Sequence, residues 1–390
     1  MRGFSLRRAA ATSVLAGLAI TVAVAGPASA HVLYVVSGHD LAVASDGQGD
    51  DITVRCLAGT LQVDNANQLP CADAETITVD LGAGDDALHL GGLDASQLPH
   101  VEHVEVDAND DVGADTVEGS QLADVVAADT QDTVYGNAGD DDIEGGGQVW
   151  GGDGADYIEG AADAVDAGPG NDFIIQPQSG VDGGPGVDAV ILDDQGAPDD
   201  ITETLDLDDT GYRFTIDGTA GWSQTNTVVG VEAYDLTFHG SVQHVDVSRY
   251  SGSVMLRLGG NDDTANLRNG HADTVDCGSG SDTVTADRSD TLAGCEHVAL
   301  PAPQTSVTGS ARVHKGKRAV YRISSDVAGA TYQCRIDHKP FRPCSERYVL
   351  RTRRLSLGRH HLQVVATVSG LADPTPATRT IRITHRKGGR

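Results

Sequence analysis

Two apolar series run through residues 149–191 in fixed phase: Ile158, Ile174 and Val190 form one, and Val149, Val165 and Val181 the other, each spaced by 16 residues. Each member predicts a short strand with a single inward side chain. One circuit of 16 residues would stack these side chains into two apolar columns, the arrangement of a coil whose turns bury only a narrow strip against their neighbours. Elsewhere the pattern also favours strands. Val32–Val36, Leu41–Val43, Ile52–Val54 and Ile77–Val79 are short runs rich in β-branched residues separated by turn formers, and predict a β-rich cap over residues 31–80. Tyr212–Ile216 and Val228–Glu232 keep alternation without glycine turns, so residues 193–257 read as degenerate β-coil or a sheet insertion. Ala319–Ile323, Thr331–Ile336, His361–Val368 and Thr378–Ile383 suit a small β-sandwich over residues 305–385. The expected fold class is all-β: a parallel β-roll or β-solenoid followed by a sandwich.

Between the apolar positions lies a nonapeptide of the form G-G-x-G-x-D-x-U-x, where U is a large apolar residue. Gly151-Gly152-Asp153-Gly154-Ala155-Asp156 opens the first strong copy, Ala167-Gly168-Pro169-Gly170-Asn171-Asp172 the next, and Gly183-Gly184-Pro185-Gly186-Val187-Asp188 the third. Gly136, Gly139 and Asp141 belong to a preceding copy; Gly82, Gly84 and Asp86 match apart from the first position. Residues 90–134 carry the repeat in worn form. A partial return ends at Asp263, and a fuller one contains Gly278, Gly280 and Asp282. The expected coil therefore occupies residues 81–192, with a second repeat segment at 258–300. Glycine at positions 1, 2 and 4 allows left-handed angles that turn carbonyl oxygens inward, and aspartate at position 6 adds a carboxylate. Such hard oxygen ligands suit calcium, several ions per chain, better than magnesium with its stricter octahedral geometry. Asp141, Asp156, Asp172 and Asp188 would align on one edge about 4.8 Å apart, where like charges repel until divalent cations lodge between the loops. The short spacers restrict these sites to that edge.

Composition divides the chain. Residues 301–390 hold 18 of the 27 Lys and Arg with four acids, a formal +14, whereas residues 31–300 hold six basic and 53 acidic residues, a formal −47. An acidic region of this kind needs bound cations or is disordered, and it disfavours nucleic acid as a partner. The basic segment suits docking on an anionic cell-wall polymer or on the acidic region of another copy. At the N-terminus, Arg2, Arg7 and Arg8, the apolar run Ala9–Val24 and Ala28-Ser29-Ala30 read as a signal peptide over residues 1–30, exported by the general secretory or the twin-arginine route. No other span is long enough to anchor the chain in a membrane. Residues 386–390 form a basic tail. Six cysteines in three close pairs, 56 with 71, 277 with 295 and 334 with 344, predict nearest-neighbour disulfides in an exported context; zinc is disfavoured because no C-x-x-C occurs.

The nonapeptides resemble the calcium-binding repeats-in-toxin (RTX, hemolysin-type) family, over roughly residues 80–190 and 258–298. The resemblance implies a parallel β-roll with calcium between turns, the position-6 aspartates and the glycine carbonyls named above being ligands. Family coils pair two full nonapeptides, whereas here one half-turn is a spacer. Cys277-Gly278-Ser279-Gly280 with Cys295-Glu296 is similar to the disulfide-closed end of such arrays. A second resemblance, to a bacterial immunoglobulin-like module, rests on Tyr332-Gln333-Cys334-Arg335-Ile336-Asp337, Pro340-Phe341-Arg342-Pro343-Cys344, Leu357-Gly358-Arg359-His360 and Asp373-Pro374-Thr375-Pro376-Ala377. His338-Lys339 replaces that module's glycine turn.

Catalytic motifs are missing: no H-E-x-x-H, no G-x-S-x-G and no cysteine left over for a Cys-His pair. Asp107, Asn109, Asp111 and Glu118 have partial EF-hand spacing, but Gly113 falls at position 7 rather than 6. His100 and His103 read as surface histidines. The expected function is a non-enzymatic, secreted calcium-binding protein, extracellular or wall-associated, with a binding or adhesive role. The alternative is a secreted hydrolase or polysaccharide epimerase built on residues 193–256.

Overall fold

A computed structural model describes residues 23–24, 32–45, 47–109, 113–161, 163–178, 180–193, 202–217 and 222–385. The expected signal peptide lies outside these except for Ala23–Val24, which pairs antiparallel with Leu33–Tyr34. The basic tail, 386–390, lies outside them entirely. Two compact units divide the chain, residues 1–299 and 300–390.

In the first unit the chain passes back and forth between two long sheets of 14 and 16 strands. The first sheet takes Asp142–Glu144, Tyr157–Glu159, Phe173–Ile175 and Ala189–Asp193 as successive parallel neighbours. The second takes Thr133–Ala138, Gln148–Asp153, Ala164–Asp166 and Gly180–Asp182 in the same way. One circuit therefore places one strand in each sheet. The two apolar series fall where the pattern put them: Ile158, Ile174 and Val190 are in direct register, as are Val149, Val165 and Val181, and all six are buried. Strands of three residues suffice because each needs to supply only that one central side chain.

Residues 202–257 combine both readings left open by the sequence. Ala233–Thr237 and Ser253–Arg257 extend the first sheet in parallel register from Ala189–Asp193. In the second sheet, Thr202–Asp208, Gly211–Asp217 and Trp222–Val229 form an antiparallel meander inserted between Gly180–Asp182 and Val242–Arg249. The same device opens the sheet, where Asp51–Leu57, Thr60–Val63 and Ala66–Pro70 are antiparallel and Asp51–Leu57 then pairs in parallel with Ala87–His89. The N-terminal segment is thus hydrogen-bonded into both sheets, through Asp40–Ala44 with Thr76–Asp80 on the other side. Thr274–Asp276, Thr291–Ala293, Thr283–Thr285 and His297–Ala299 carry the two sheets to residue 299.

The second unit has its own core. Thr305–Gly309, Arg318–Ser325 and Arg347–Arg351 make a three-stranded sheet; Arg312–His314, Ala377–Thr384, Gly358–Val368, Thr331–Ile336 and Arg342–Cys344 make another, with Leu371–Ala372 pairing on. Tyr321, Ile323 and Leu350 from the first meet Ile336, Leu362, Val364, Ala366, Ile381 and Ile383 from the second in one buried cluster. All six cysteines are paired, as Cys56–Cys71, Cys277–Cys295 and Cys334–Cys344. Among the described residues no helix is long and apolar enough to cross a membrane.

Because Phe173 is 50% exposed while Ile174 beside it is 0% exposed, the two faces of one strand can be tested separately. Ile174→Ala is expected to cost about 2–5 kcal/mol in chemical denaturation and Phe173→Ala within about 0.5 kcal/mol of none. Equal losses would show that the column is not the buried face.

Candidate metal centre

Every aspartate at position 6 stands two residues before a column residue, at the point where a glycine turn enters a strand. That placement turns its side chain inward. Asp156, Asp172 and Asp188 are 0% exposed, and Asp141 is 2% exposed. The four form a ladder in which the backbone N–H of one rung donates to the carboxylate of the next. Asp124 N–H donates to Asp141 Oδ1 (2.8 Å), Asp141 to Asp156 Oδ1 (3.0 Å), Asp156 to Asp172 Oδ1 (2.9 Å) and Asp172 to Asp188 Oδ1 (3.0 Å). Glu232 ends the run by accepting from Asp188 N–H at 2.9 Å. The in-register alignment expected of these aspartates is present, but they are buried acceptors and not an exposed row of charges.

A single aspartate edge is also too narrow a description. On the second sheet Asp50 N–H donates to Asp86 Oδ1, Asp86 to Asp115 Oδ1 and Asp115 to Asp132 Oδ1. Toward residue 299 the same sheet carries Gln243, Asp263, Asp282 and Glu296 in one such series, and the first sheet carries Asp273 and Asp290. Asp86, Asp263 and Asp282 thus lie on a different sheet from Asp141, Asp156, Asp172 and Asp188. The members outside the expected ligand set are Asp50, Asp115, Asp124, Asp132, Glu232, Asp273, Asp290 and Glu296, of which Asp115 and Asp124 fall in the worn repeat. For most of them the signal is an acid two residues before a strand's inward residue, as in Asp132-Thr133-Val134 and Asp273-Thr274-Val275, without the glycines at positions 1, 2 and 4.

The glycines make room for the stack. At position 4 a Cβ on Gly154, Gly170 or Gly186 would overlap the carbonyl oxygen of Gly139, Gly154 or Gly170 in the preceding turn. Gly84 and Gly280 stand at the same place on the second sheet; Gly84 and Asn261 supply the carbonyls that would meet a Cβ on Gly113 and Gly280. Position 2 is left-handed in Gly82, Gly152, Gly168, Gly184 and Gly278, and Asn137 takes that place in the turn of Gly136 and Gly139. Asparagine is one of the few residues with a side chain that tolerates it. At position 1, Gly136 and Gly151 each have Oδ2 of their own turn's aspartate, Asp141 and Asp156, against the Cα, together with the carbonyl oxygen of the next turn's first residue, Gly151 or Ala167. Gly183 has Gly230 O and Asp188 there. Carboxylate and carbonyl oxygens therefore converge where no side chain intervenes.

In seven of these carboxylates one oxygen has no donor. Oδ2 of Asp141, Asp156, Asp172, Asp188, Asp263, Asp273 and Asp282 is buried without a hydrogen-bond partner. A charged oxygen in that position is costly unless it is neutralised by a proton or a cation. Burial pushes the carboxyls of Asp124, Asp141, Asp156 and Asp263 up to about 7, and those of Asp172 and Asp273 to about 6. Neighbouring aspartates raise Asp156 further, but burial is the larger cause. An orphaned carboxylate oxygen beside backbone carbonyls fits a hard cation that accepts irregular all-oxygen coordination, which is calcium's chemistry. Among the described residues no three His, Cys, Asp or Glu side chains converge to hold a metal, so an ion here draws most of its ligands from the backbone. The EF-hand spacing is not realised: Asp107 lies on the first sheet and Glu118 on the second, and Asp111 is outside the described residues.

These carboxyls titrate higher in the fold than their ordinary value of 3.8, so folding without metal takes up protons. Their contribution is most favourable below about pH 4 and is lost as pH rises through about 7. In chelator, the melting temperature of the full chain is expected to be higher at pH 5 than at pH 8, with the difference reduced in Asp156→Asn. A melt that is higher at pH 8 would contradict the burial of these groups. No family model matches the chain, and no curated protein matches it.

Proposed function

We propose that the chain is an exported calcium-binding protein of the repeats-in-toxin type. On this reading residues 33–299 fold as a β-roll around several calcium ions, residues 305–385 form an immunoglobulin-like sandwich, and the protein works outside the cell in binding or adhesion without catalysis. One observation carries the reading: seven stacked, buried aspartates each keep an oxygen with no donor. Calcium takes six to eight oxygens at about 2.3–2.6 Å, and extracellular modules bind it at about 10⁻⁴–10⁻³ M. In an exported protein that would make folding conditional on leaving a low-calcium compartment. Three disulfides and no free cysteine are in keeping with an oxidising destination.

A second reading, a hydrolase or epimerase within residues 193–256, has one feature in its favour. A cavity of about 330 Å³ is lined by Asp208, Asp209, Glu232, Tyr234 and Tyr250 among others. Its three carboxylates already accept hydrogen bonds, Asp208 from Thr210, Asp209 from Ser251 N–H and Glu232 from Asp188 N–H, which suits a structural role better. A screen on polysaccharide and protein substrates, repeated with Asp209→Asn, separates the two readings.

For the calcium reading, thermal unfolding followed by circular dichroism is expected to shift upward with calcium and back with chelator. A site occupied at a hundredfold excess over its dissociation constant adds about 2.7 kcal/mol. An unchanged melt together with no calcium uptake in equilibrium dialysis would overturn it.

A further inference from the structure

The second unit displays arginines in opposed rows. On its three-stranded sheet Arg318 lies directly across from Arg351, and Arg322 from Arg347, with Val320 and Val349 between them. All four arginines are exposed. On the other sheet Arg312, Arg382 and Arg359 are neighbours across three strands, again exposed. Like charges directly opposite in a sheet are destabilising. Among the described residues of the unit no acid is in an ion pair with them. Among the described residues the arginine ion pairs are Arg249–Asp208 and Arg257–Asp235, both in the first unit. The unit's own aspartates are committed elsewhere: Asp337 to His360, Asp373 to Thr305 and Thr375, and Asp326 to Gln304.

The first unit carries complementary pairs on both sheets. Glu144 is in register with Glu159 on the first sheet, and Asp166 with Asp182 on the second, on strands whose central residues are buried and whose outer residues face away from the core. None of the four is in an ion pair with a basic residue among the described residues, and none is a position-6 aspartate. Opposed arginines and opposed acids are both one strand apart, about 4.8 Å, so the two carboxylates of either pair can meet two neighbouring guanidinium groups, in the bidentate manner that favours arginine over lysine.

We infer that the opposed arginines on the three-stranded sheet of one copy dock on a carboxylate pair of the acidic unit of a second copy. Charge favours this occupant over a foreign polyanion. A formal −47 over residues 31–300 of the same chain would repel any other polyanion but is itself the complement of the formal +14 over residues 301–390. The contact uses different surfaces on the two partners, so it is head-to-tail and can propagate.

Sedimentation of the full chain, with calcium held at about 1 mM, tests it. At about 0.01 M ionic strength, where the Debye length is about 30 Å, the mass is expected to rise with concentration; at about 1 M it returns to the monomer. Replacing Arg318, Arg322, Arg347 and Arg351 by Gln is expected to weaken assembly at least about tenfold, and so is replacing Glu144 and Glu159 by Gln with Asp166 and Asp182 by Asn. Because the substitutions remove like-charge pairs, circular dichroism melts should not fall. Mixing the two variants leaves contacts in one direction only, so assembly should stop at a dimer or, with both carboxylate pairs engaged, a trimer. A monomer at low ionic strength, assembly that survives either set of substitutions, or capture of polyphosphate by a chain that does not self-associate would each overturn the inference.

Discussion

One carboxylate per turn, buried and stacked on the next, constrains everything around it in the first unit. Its Oδ1 takes the N–H of the preceding rung, which fixes the register of successive turns to within one residue. Its Oδ2 occupies the space against Gly136 and Gly151, and the carbonyls of Gly139, Gly154 and Gly170 occupy the space where side chains at Gly154, Gly170 and Gly186 would go. Glycine is therefore required by crowding at these positions, beyond the left-handed angles of Gly152 and Gly168. What remains of each turn is a short strand in each sheet, each with one inward aliphatic side chain. So little apolar surface per turn gives burial a modest return, while the carboxylate beside it demands a counter-charge or a proton.

The second unit is stabilised by different means. Tyr321 is fully buried, Tyr332 and Cys334 join it, and both sheets contribute aliphatic side chains to one cluster. It needs no cation to close its core. Its unpaired arginines are outside, where they cost little in water and remain available to a partner.

Periodicity made the stacking legible. Ile158, Ile174 and Val190, with Val149, Val165 and Val181, recur at 16 residues, and a stack of equal turns is the arrangement that brings both series into register at once. On the second sheet the series that links Asp86 to Asp50, Asp115 and Asp132 was hidden because its intervals are unequal. Asp50 and Asp86 are neighbours although 36 residues apart, since the meander through Thr60–Pro70 intervenes; Asp86 and Asp115 are 29 apart, and Asp115 and Asp132 are 17 apart. A fixed-period search misses such a series, whereas hydrogen bonding tolerates any detour that returns the strand to its place. The burial of the carboxylates was not legible either. Sequence places an aspartate in phase, but whether its side chain points outward to water or inward to the next turn depends on the backbone path through the glycines.

Calorimetric titration of calcium into the full chain near pH 7, in two buffers of different ionisation heat, measures ions bound and protons exchanged together. Carboxyls held near 6 to 7 by burial must lose their protons when a cation takes the orphaned oxygen. The account predicts several calcium ions bound per chain with net proton release, smaller at pH 8 than at pH 6.5. Calcium binding without proton release, or no binding at all, would contradict it.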